Sequence, residues 1–365
     1  MAIRPFKEFA SKGFAEIKKI QTGEKLLPKT GFDFIDDHLG CMLPGDVALL
    51  SSPSGTGKTT IAQKIKKNLL NIELNPDAAN YVYVDYSLEM KVFNLLMRAS
   101  AEILKKKKSE ILFNEFTEEE QTKIRAYYET LQDDRQFLDQ VPPTPEEFYN
   151  DAREFCIKHK DKSAIFFSFD HVLLAKGSDK KRMLEEFAEK INQLKLEFDN
   201  VYFILISQNN RQIYSRIAEK SNLAAPNPTD VFGSSFLDQL CSFNIVFYAP
   251  FKAGIKEYMK VNPTRYQHLS EYFGEEDNKG RVSFHTEGLI FAHAIKTRES
   301  DNMYKDIFVI DMELSSEEKE NLKEKVEVKS SSMPEFNEDM PKKEFVFPTL
   351  EEAFENDDKE DDPPF

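Results

Sequence analysis

Ser51-Ser52-Pro53-Ser54-Gly55-Thr56-Gly57-Lys58-Thr59-Thr60 is the stretch whose reading decides the fold. Ahead of it, Val47 to Leu50 form a short apolar run suited to a buried parallel strand. Behind it, Thr60 to Leu70 carry Ile61, Ile65 and Leu69 at helical spacing. The loop therefore joins a strand to a helix N-terminus, where unsatisfied N–H groups and the helix dipole favour an anion. Gly55 and Gly57 let the backbone turn its N–H groups around phosphate oxygens, Lys58 can reach the β- and γ-phosphates, and the Thr59 hydroxyl can hold Mg²⁺. Ser54, Gly55, Thr56, Gly57, Lys58, Thr59 and Thr60 are accordingly the candidate nucleotide-binding residues, with ATP and Mg²⁺ as the expected ligands. The pattern G-x-x-x-x-G-K-[ST] has one departure, Ser52 at the first glycine, which a small residue tolerates while φ stays negative.

A chain of 365 residues with 40% hydrophobic residues is long enough for one large domain with a substantial core and tails. No uncharged apolar run of about 18 residues appears. The start, Met1-Ala2-Ile3-Arg4-Pro5-Phe6-Lys7, lacks the apolar region of a signal peptide, so a soluble, cytoplasmic protein without a membrane partner is expected. Cys41, Cys156 and Cys241 are too few and too scattered for a disulfide framework or a zinc ribbon, and the six histidines show no metal-ligand spacing. Reduced, buried thiols are the expectation. Of the net charge of −15, the segment from Ser315 onward holds 17 acidic and 7 basic residues, leaving −5 for the rest. A mildly acidic body is compatible with nucleic-acid binding if the basic residues line a pore or groove.

Phe6, Phe9, Ala10, Phe14, Ile17 and Ile20 recur at helical spacing and predict an amphipathic helix within residues 1–24. Apolar strand candidates then alternate with helical stretches: Val47 to Leu50, Tyr81 to Val84, Ala164 to Phe169, Val201 to Ile206 and Ile245 to Tyr248. That alternation predicts an α/β fold with a mostly parallel central sheet flanked by helices. Between the second and third strands a long helical insertion includes Val92 to Lys107 and Glu118 to Asp133. The Pro142-Pro143-Thr144-Pro145 turn closes it, and Lys105 to Lys108 form a solvated helix end. Leu289 to Ile295 and Ile307 to Ile310 read as a C-terminal β-hairpin. From residue 315 to 365 the chain is acidic, serine-rich and poor in periodic apolar residues, and is expected to be disordered.

Further chemistry falls at the ends of these strands, where an open α/β sheet places its ligands. Ala164 to Asp170 is a hydrophobic strand ending in an acid, the form of a Walker B segment, so Asp170 is expected beside the Mg²⁺ shell. The second strand runs into Asp85-Tyr86-Ser87-Leu88-Glu89-Met90. A carboxylate there can polarise the water that attacks the γ-phosphate, with Glu89 as candidate base and Asp85 as its rival. The fourth strand ends in Ile206-Ser207-Gln208, whose terminal amide can report whether the γ-phosphate is present. Lys296 and Arg298, two cations spaced i, i+2 on an extended chain, share one side and can reach a phosphate held by another subunit, as an arginine finger does.

The order of these motifs resembles the ATPase domain of DnaB-type replicative helicases, within the RecA-like superfamily. Thr30-Gly31-Phe32-Asp33-Phe34-Ile35-Asp36 with Leu43-Pro44-Gly45-Asp46 looks like that family's opening segment. Ser87-Leu88-Glu89-Met90 is similar to its second-strand signature and Ser207-Gln208-Asn209-Asn210-Arg211 to its sensor motif. Asp238-Gln239 resembles a later acidic pair and Lys296-Thr297-Arg298 the finger segment. The resemblance covers roughly residues 25 to 312, inside an expected ATPase domain of 25–314. It implies a ring, usually a homo-hexamer, with ATP at each interface, Lys296 and Arg298 acting in trans, and single-stranded DNA in the central pore. Hydrolysis would drive 5′ to 3′ translocation and unwinding. Loops after Asp170 and Gln208 would face the pore, which makes Lys180, Lys181, Arg182, Arg211 and Arg216 candidate DNA contacts. The sequence departs from the family pattern in three places. Phe232 stands where a pore-loop arginine is usual, Glu299 to Asn302 lack the glycines that follow the finger, and only the linker helix stands where an N-terminal helical domain is expected.

The end of the tail, Glu360-Asp361-Asp362-Pro363-Pro364-Phe365, resembles the acidic tips of single-stranded-DNA-binding proteins and implies a replication protein docked through Phe365 and its carboxylate. Two other functions fit the same motifs: a RecA-like recombination or repair ATPase, and a low-turnover, ATP-gated scaffold or loader. Glu89, Gln208, Lys296 and Arg298 favour a motor over a scaffold.

Overall fold

A computed structural model describes residues 6–39, 42–177, 179–210, 213, 216, 225–231, 234–297 and 306–311, all within the unit Met1–Lys319; the other unit is Glu320–Phe365. The predicted strands form with modest extensions: β1 (Val47–Ser52), β2 (Tyr81–Ser87), β4 (Ala164–Asp170), β5 (Val201–Gln208) and β6 (Phe243–Tyr248). The expected hairpin is β10 (Leu289–Thr297) paired antiparallel with β11 (Asp306–Asp311). These strands and β3 (Gln136–Asp139) make an eight-stranded sheet of order β11-β10-β6-β1-β5-β4-β2-β3, parallel from β3 through β6. Placing β1 between β5 and β6 leaves its carboxyl end at the crevice where the strand order reverses, the ligand position of open α/β sheets.

Helices α1 (Phe6–Gln21) and α2 (Lys58–Leu69) follow the sequence expectation, and α6 (Pro145–Lys158) follows the proline turn; α7 (Lys180–Glu197) takes Lys180, Lys181 and Arg182 into its first turn, capped by Asp179, rather than into the loop expected after Asp170. The insertion is three helices, α3 (Val92–Leu104), α4 (Lys108–Phe113) and α5 (Glu118–Leu131), and the lysine run ends the first and begins the second. Lys105 caps α3 in the left-handed conformation, and Lys106 forms an ion pair with Glu120 of α5. A short α8 (Ser234–Leu240) precedes β6.

Phenylalanine builds the core of this tryptophan-free chain. On one face of β4, Phe167 and Phe169 pack against Phe148 of α6, and Phe169 and Phe148 both meet Phe187 of α7. On the other, Phe166 meets Tyr81, Tyr83 and Tyr202. The Cys156 and Cys241 thiols are buried, as expected, and Cys241 Sγ donates to Asp238 O at 3.4 Å; Cys41 lies outside the described residues.

Two features had no clear sequence signal. β3 is a four-residue edge strand whose side chains are only partly covered. β7 (Glu257–Val261), β8 (Phe273–Glu276) and β9 (Val282–His285) form a second sheet of order β7-β9-β8, stacked on Tyr248, Leu289 and Phe291 through Tyr258 and Phe284. Register shifts in both of its pairings, and Met259 at φ 53°, break the alternation by which a strand is recognised.

The Thr30 to Asp36 segment has a structural role. Buried Asp36 accepts hydrogen bonds from Thr30 N, Thr30 Oγ1 and Gly31 N, each at 2.8 Å, which folds the chain back on itself. Gly31 has φ +74°, and the Asn68 side chain, which donates to Thr30 O, fills the place a Cβ would take. Asp36→Ala leaves two backbone N–H groups without their acceptor. It is expected to lower stability by about 3 kcal/mol, read as a reduced urea midpoint at unchanged slope.

Candidate nucleotide-binding and active site

Parallel register brings the separate motifs to one edge of the sheet. Ser52 pairs with Gln208, Ile206 with Asp170, and Asp170 with Ser87, so four strands end together. Gln208 stands beside the first residue of the phosphate loop, where Asn209 N donates to Ser52 O at 3.1 Å. Leu88 N and Glu89 N both donate to Asp170 O, at 2.8 and 3.2 Å, and this holds the Glu89 turn against the Walker B strand.

Ser52 continues β1 and avoids the left-handed region; among the described residues only Lys105 and Met259 are non-glycines with positive φ. The turn is made instead at Gly57, the N-cap of α2, with φ +108°. Ser54 and Gly55 lie at the exposed tip, and Thr56 and Lys58 are buried. Thr60 follows in the first turn of α2.

Helix α2 lays one polar face on the sheet. Thr59, Gln63 and Lys66 are spaced i, i+4, i+7 and so share a face. Thr59 Oγ1 donates to Asp170 Oδ2 at 2.9 Å, Gln63 Nε2 donates to Asp85 Oδ2 at 3.1 Å, and Lys66 Nζ lies 3.7 Å from Asp85. The other Asp85 oxygen accepts from Ser168 Oγ at 2.8 Å. Asp85 is therefore a buried structural hub with both oxygens occupied. Glu89, whose side chain keeps 45% of its exposure, is the carboxylate of the two that is open to solvent. The spacing of Gln63 and Lys66 from Thr59 is a sequence signal that could have marked Asp85 as a structural residue.

The electrostatics follow from burial. Desolvation pushes the Asp170 carboxyl up to about 6, against the Thr59 hydrogen bond, with Glu89 and Asp85 adding to the rise and Lys58 opposing it. Desolvation also lowers the Lys58 pKa, while Asp170 and Glu89 hold its proton. His171, with Nε2 3.9 Å from Glu89, is lowered in the same way. Asp170 Oδ1 is buried without a hydrogen-bond partner, next to Thr59 and Lys58. A carboxylate and a hydroxyl fit the outer part of a Mg²⁺ shell. Among the described residues no cluster of three acidic, histidine or cysteine side chains could hold a metal ion.

Lys296 sits elsewhere. It pairs with Asn244 of β6, which is level with Leu49, three residues before β1 ends and two strands away. That is about 10 Å along the strands and a similar distance across them from the point where its own phosphate loop begins. Its ammonium points to α8, donating to Asp238 O with Asp238 Oδ2 at 3.7 Å. Lys296 thus lies beyond reach of the phosphate loop of its own subunit. Arg298 lies outside the described residues, as do Arg211 and Phe232. Of the other candidate DNA contacts, Lys180, Lys181 and Arg182 are exposed in the first turn of α7. Lys180 donates to Ala175 O, and Arg182 pairs with Glu186. Arg216 is engaged within its own subunit, paired with buried Asp230.

Comparison with known proteins bears on the fold and the family. The structure resembles the ATPase domain of G40P, with a TM-score of 0.62 at 16% identity over 87% of this chain and 98% of that one. It also resembles a DnaB-like replicative helicase solved with its interactions with primase, with a TM-score of 0.56 at 15% identity. That match covers 85% of this chain and 64% of the other, and at these identities both likenesses establish the RecA-like fold. No described helix is long and apolar enough to cross a membrane. The family model for the DnaB-like helicase C-terminal domain matches residues 28–249, which take in the phosphate loop, Glu89, Asp170 and Gln208. With that span covering more than half of its length, the chain belongs to the DnaB-like helicase C-terminal domain family and is an ATP hydrolase of the helicase class.

Proposed function

We propose that this chain is one subunit of a ring, hexameric on the family pattern, that hydrolyses ATP at each subunit boundary, moves 5′ to 3′ along single-stranded DNA and unwinds duplex during replication in the cytoplasm. The observation that carries the reading is the division of the site. Lys58, Thr59, Asp170, Glu89 and Gln208 gather at one end of the sheet, while Lys296 lies too far away to serve them. Each site is complete only when a neighbour supplies its Lys296, and with it Arg298.

In this arrangement the loop from Ser54 to Thr60 cradles the phosphates, and Lys58 holds the β- and γ-phosphate oxygens. Thr59 and Asp170 would hold Mg²⁺, which when bound neutralises phosphate charge. Glu89 accepts a proton from the attacking water, Gln208 senses the γ-phosphate, and the neighbour's cations offset charge that builds on the transferred group. Lys180, Lys181 and Arg182, with Arg211 and Arg216, line the DNA path; for Arg216 this requires release from Asp230. Residues 25–314 form the motor and 315–365 a tail that recruits a replication protein through Phe365. The helix in residues 1–24 docks on the next subunit. Its Phe6, Phe14 and Ile17 are exposed, and α3 and α4 offer exposed Phe93, Leu112 and Phe113 as the receiving surface.

Mixing two inactive variants tests the division. Lys58→Ala and Lys296→Ala chains, each without turnover alone, are expected to regain ATP hydrolysis when co-assembled. About a quarter of boundaries in a random one-to-one ring carry both intact halves. Co-assembled rings that stay inactive, with mixing verified by a tag on one variant, would sink the shared-site reading.

A further inference from the structure

Strands β1 and β6 are parallel neighbours, so the turn after β6 emerges beside the phosphate loop. That turn, Pro250–Ala253, begins the segment that carries the second sheet and lies beyond the 28–249 family match. It is firmly held: Pro250 and Phe251 are buried, Gly254 N donates to Phe251 O at 2.9 Å, and Ile255 N to Pro250 O at 3.2 Å. From it Lys252 extends to the loop tip, where Nζ donates to Gly55 O at 2.5 Å. Among the described residues Lys252 has no carboxylate partner. Surrounding atoms and then Arg98 of α3, a second cation, lower its pKa. An ammonium held on a neutral carbonyl of a phosphate loop, near another cation, is an arrangement that a polyphosphate would stabilise.

The bond also sets the direction of a donor. A planar trans peptide points its C=O and N–H to opposite sides. Holding the Gly55 carbonyl on Lys252 therefore turns the Thr56 N–H to the side away from Lys252, where its contact with Pro53 O is long at 3.4 Å and readily exchanged for a phosphate oxygen.

We infer that Lys252 is a positioning residue of the nucleotide site: it orients the Gly55–Thr56 peptide for phosphate and ties the second sheet to nucleotide occupancy. The inference rests on the nucleotide-site reading above. The test is binding of a fluorescent ATP analogue, together with steady-state hydrolysis, by the full chain. Lys252→Met is expected to weaken binding and raise KM roughly fivefold or more, with kcat within about twofold. Lys252→Arg restores most of the affinity, and Lys256→Met, an exposed charge on the same segment, leaves it unchanged. Lys252→Met binding as tightly as wild type would overturn the inference. So would a Lys252→Arg chain that binds as weakly as Lys252→Met, since that pattern indicates a packing role. Wild-type chain that binds no nucleotide would instead overturn the site reading itself.

Discussion

Asp170→Asn is expected to make the nucleotide-free protein more stable and to remove its activity. Burial is the first cause of the rise in the Asp170 pKa from 3.8 to about 6. The folded chain therefore binds a proton that the unfolded chain has released across that interval, so the buried charge costs stability in full above pH 6. The cost fades as pH falls through 6 towards 4. A rise of that size corresponds to about 2–3 kcal/mol, or several degrees of melting temperature in a domain of this size. Asparagine carries no charge and can still accept the Thr59 hydrogen bond. In EDTA at pH 7.5 the variant should melt higher than wild type, with the gap closing by pH 4.5. Hydrolysis should fall on the order of 10³-fold, because Thr59 would be left to hold Mg²⁺ without a carboxylate. Mg²⁺ and ATP together should raise the melting temperature of wild type far more than that of the variant. A variant that melts lower at pH 7.5 without nucleotide would show that Asp170 bears no net desolvation cost.

Glu89→Gln has the second large effect, of a different kind. The Glu89 turn is held through its backbone, by the N–H groups of Leu88 and Glu89 on Asp170 O, so the amide keeps the local geometry. What it loses is the capacity to accept a proton. kcat is expected to fall about 10²- to 10⁴-fold, with the nucleotide dissociation constant unchanged within about twofold. Stability should be nearly unaffected, since the side chain is half exposed and its contact with His171 at 3.9 Å is to a ring whose pKa burial lowers. Retained turnover would transfer the role of base to another group, and Asp85 is a poor substitute with both oxygens occupied. Together the two variants separate metal holding from proton acceptance: one should lose metal-linked stabilisation, the other only turnover.

Much of the architecture was legible because its signals are local. The apolar run before Ser51, the Gly55-Thr56-Gly57-Lys58-Thr59 loop and the helical spacing of Ile61, Ile65 and Leu69 define a strand-loop-helix within 25 residues. Hydrophobic runs that alternate with helices then require a parallel sheet. The DnaB-like family could be read from motif order alone. What the sequence left open depended on contacts between distant residues. The sequence put Glu89 forward as the base with Asp85 as its rival, and the meeting of Gln63 and Ser168 at Asp85 is what occupies the rival. Lys296 reads as a cation after a strand. That it lies out of reach of its own phosphate loop follows from β10 running antiparallel to β6, which carries Lys296 to the end of the sheet away from that loop. The second sheet escaped notice because bulges erase its period, and Lys252 because 197 residues separate it from Gly55. Sequence determined the elements and their chemistry, since those depend on periodicity and side-chain type. Tertiary structure decided which carboxylate is free, which cation is out of reach and what holds the loop tip, because each depends on strand order and register.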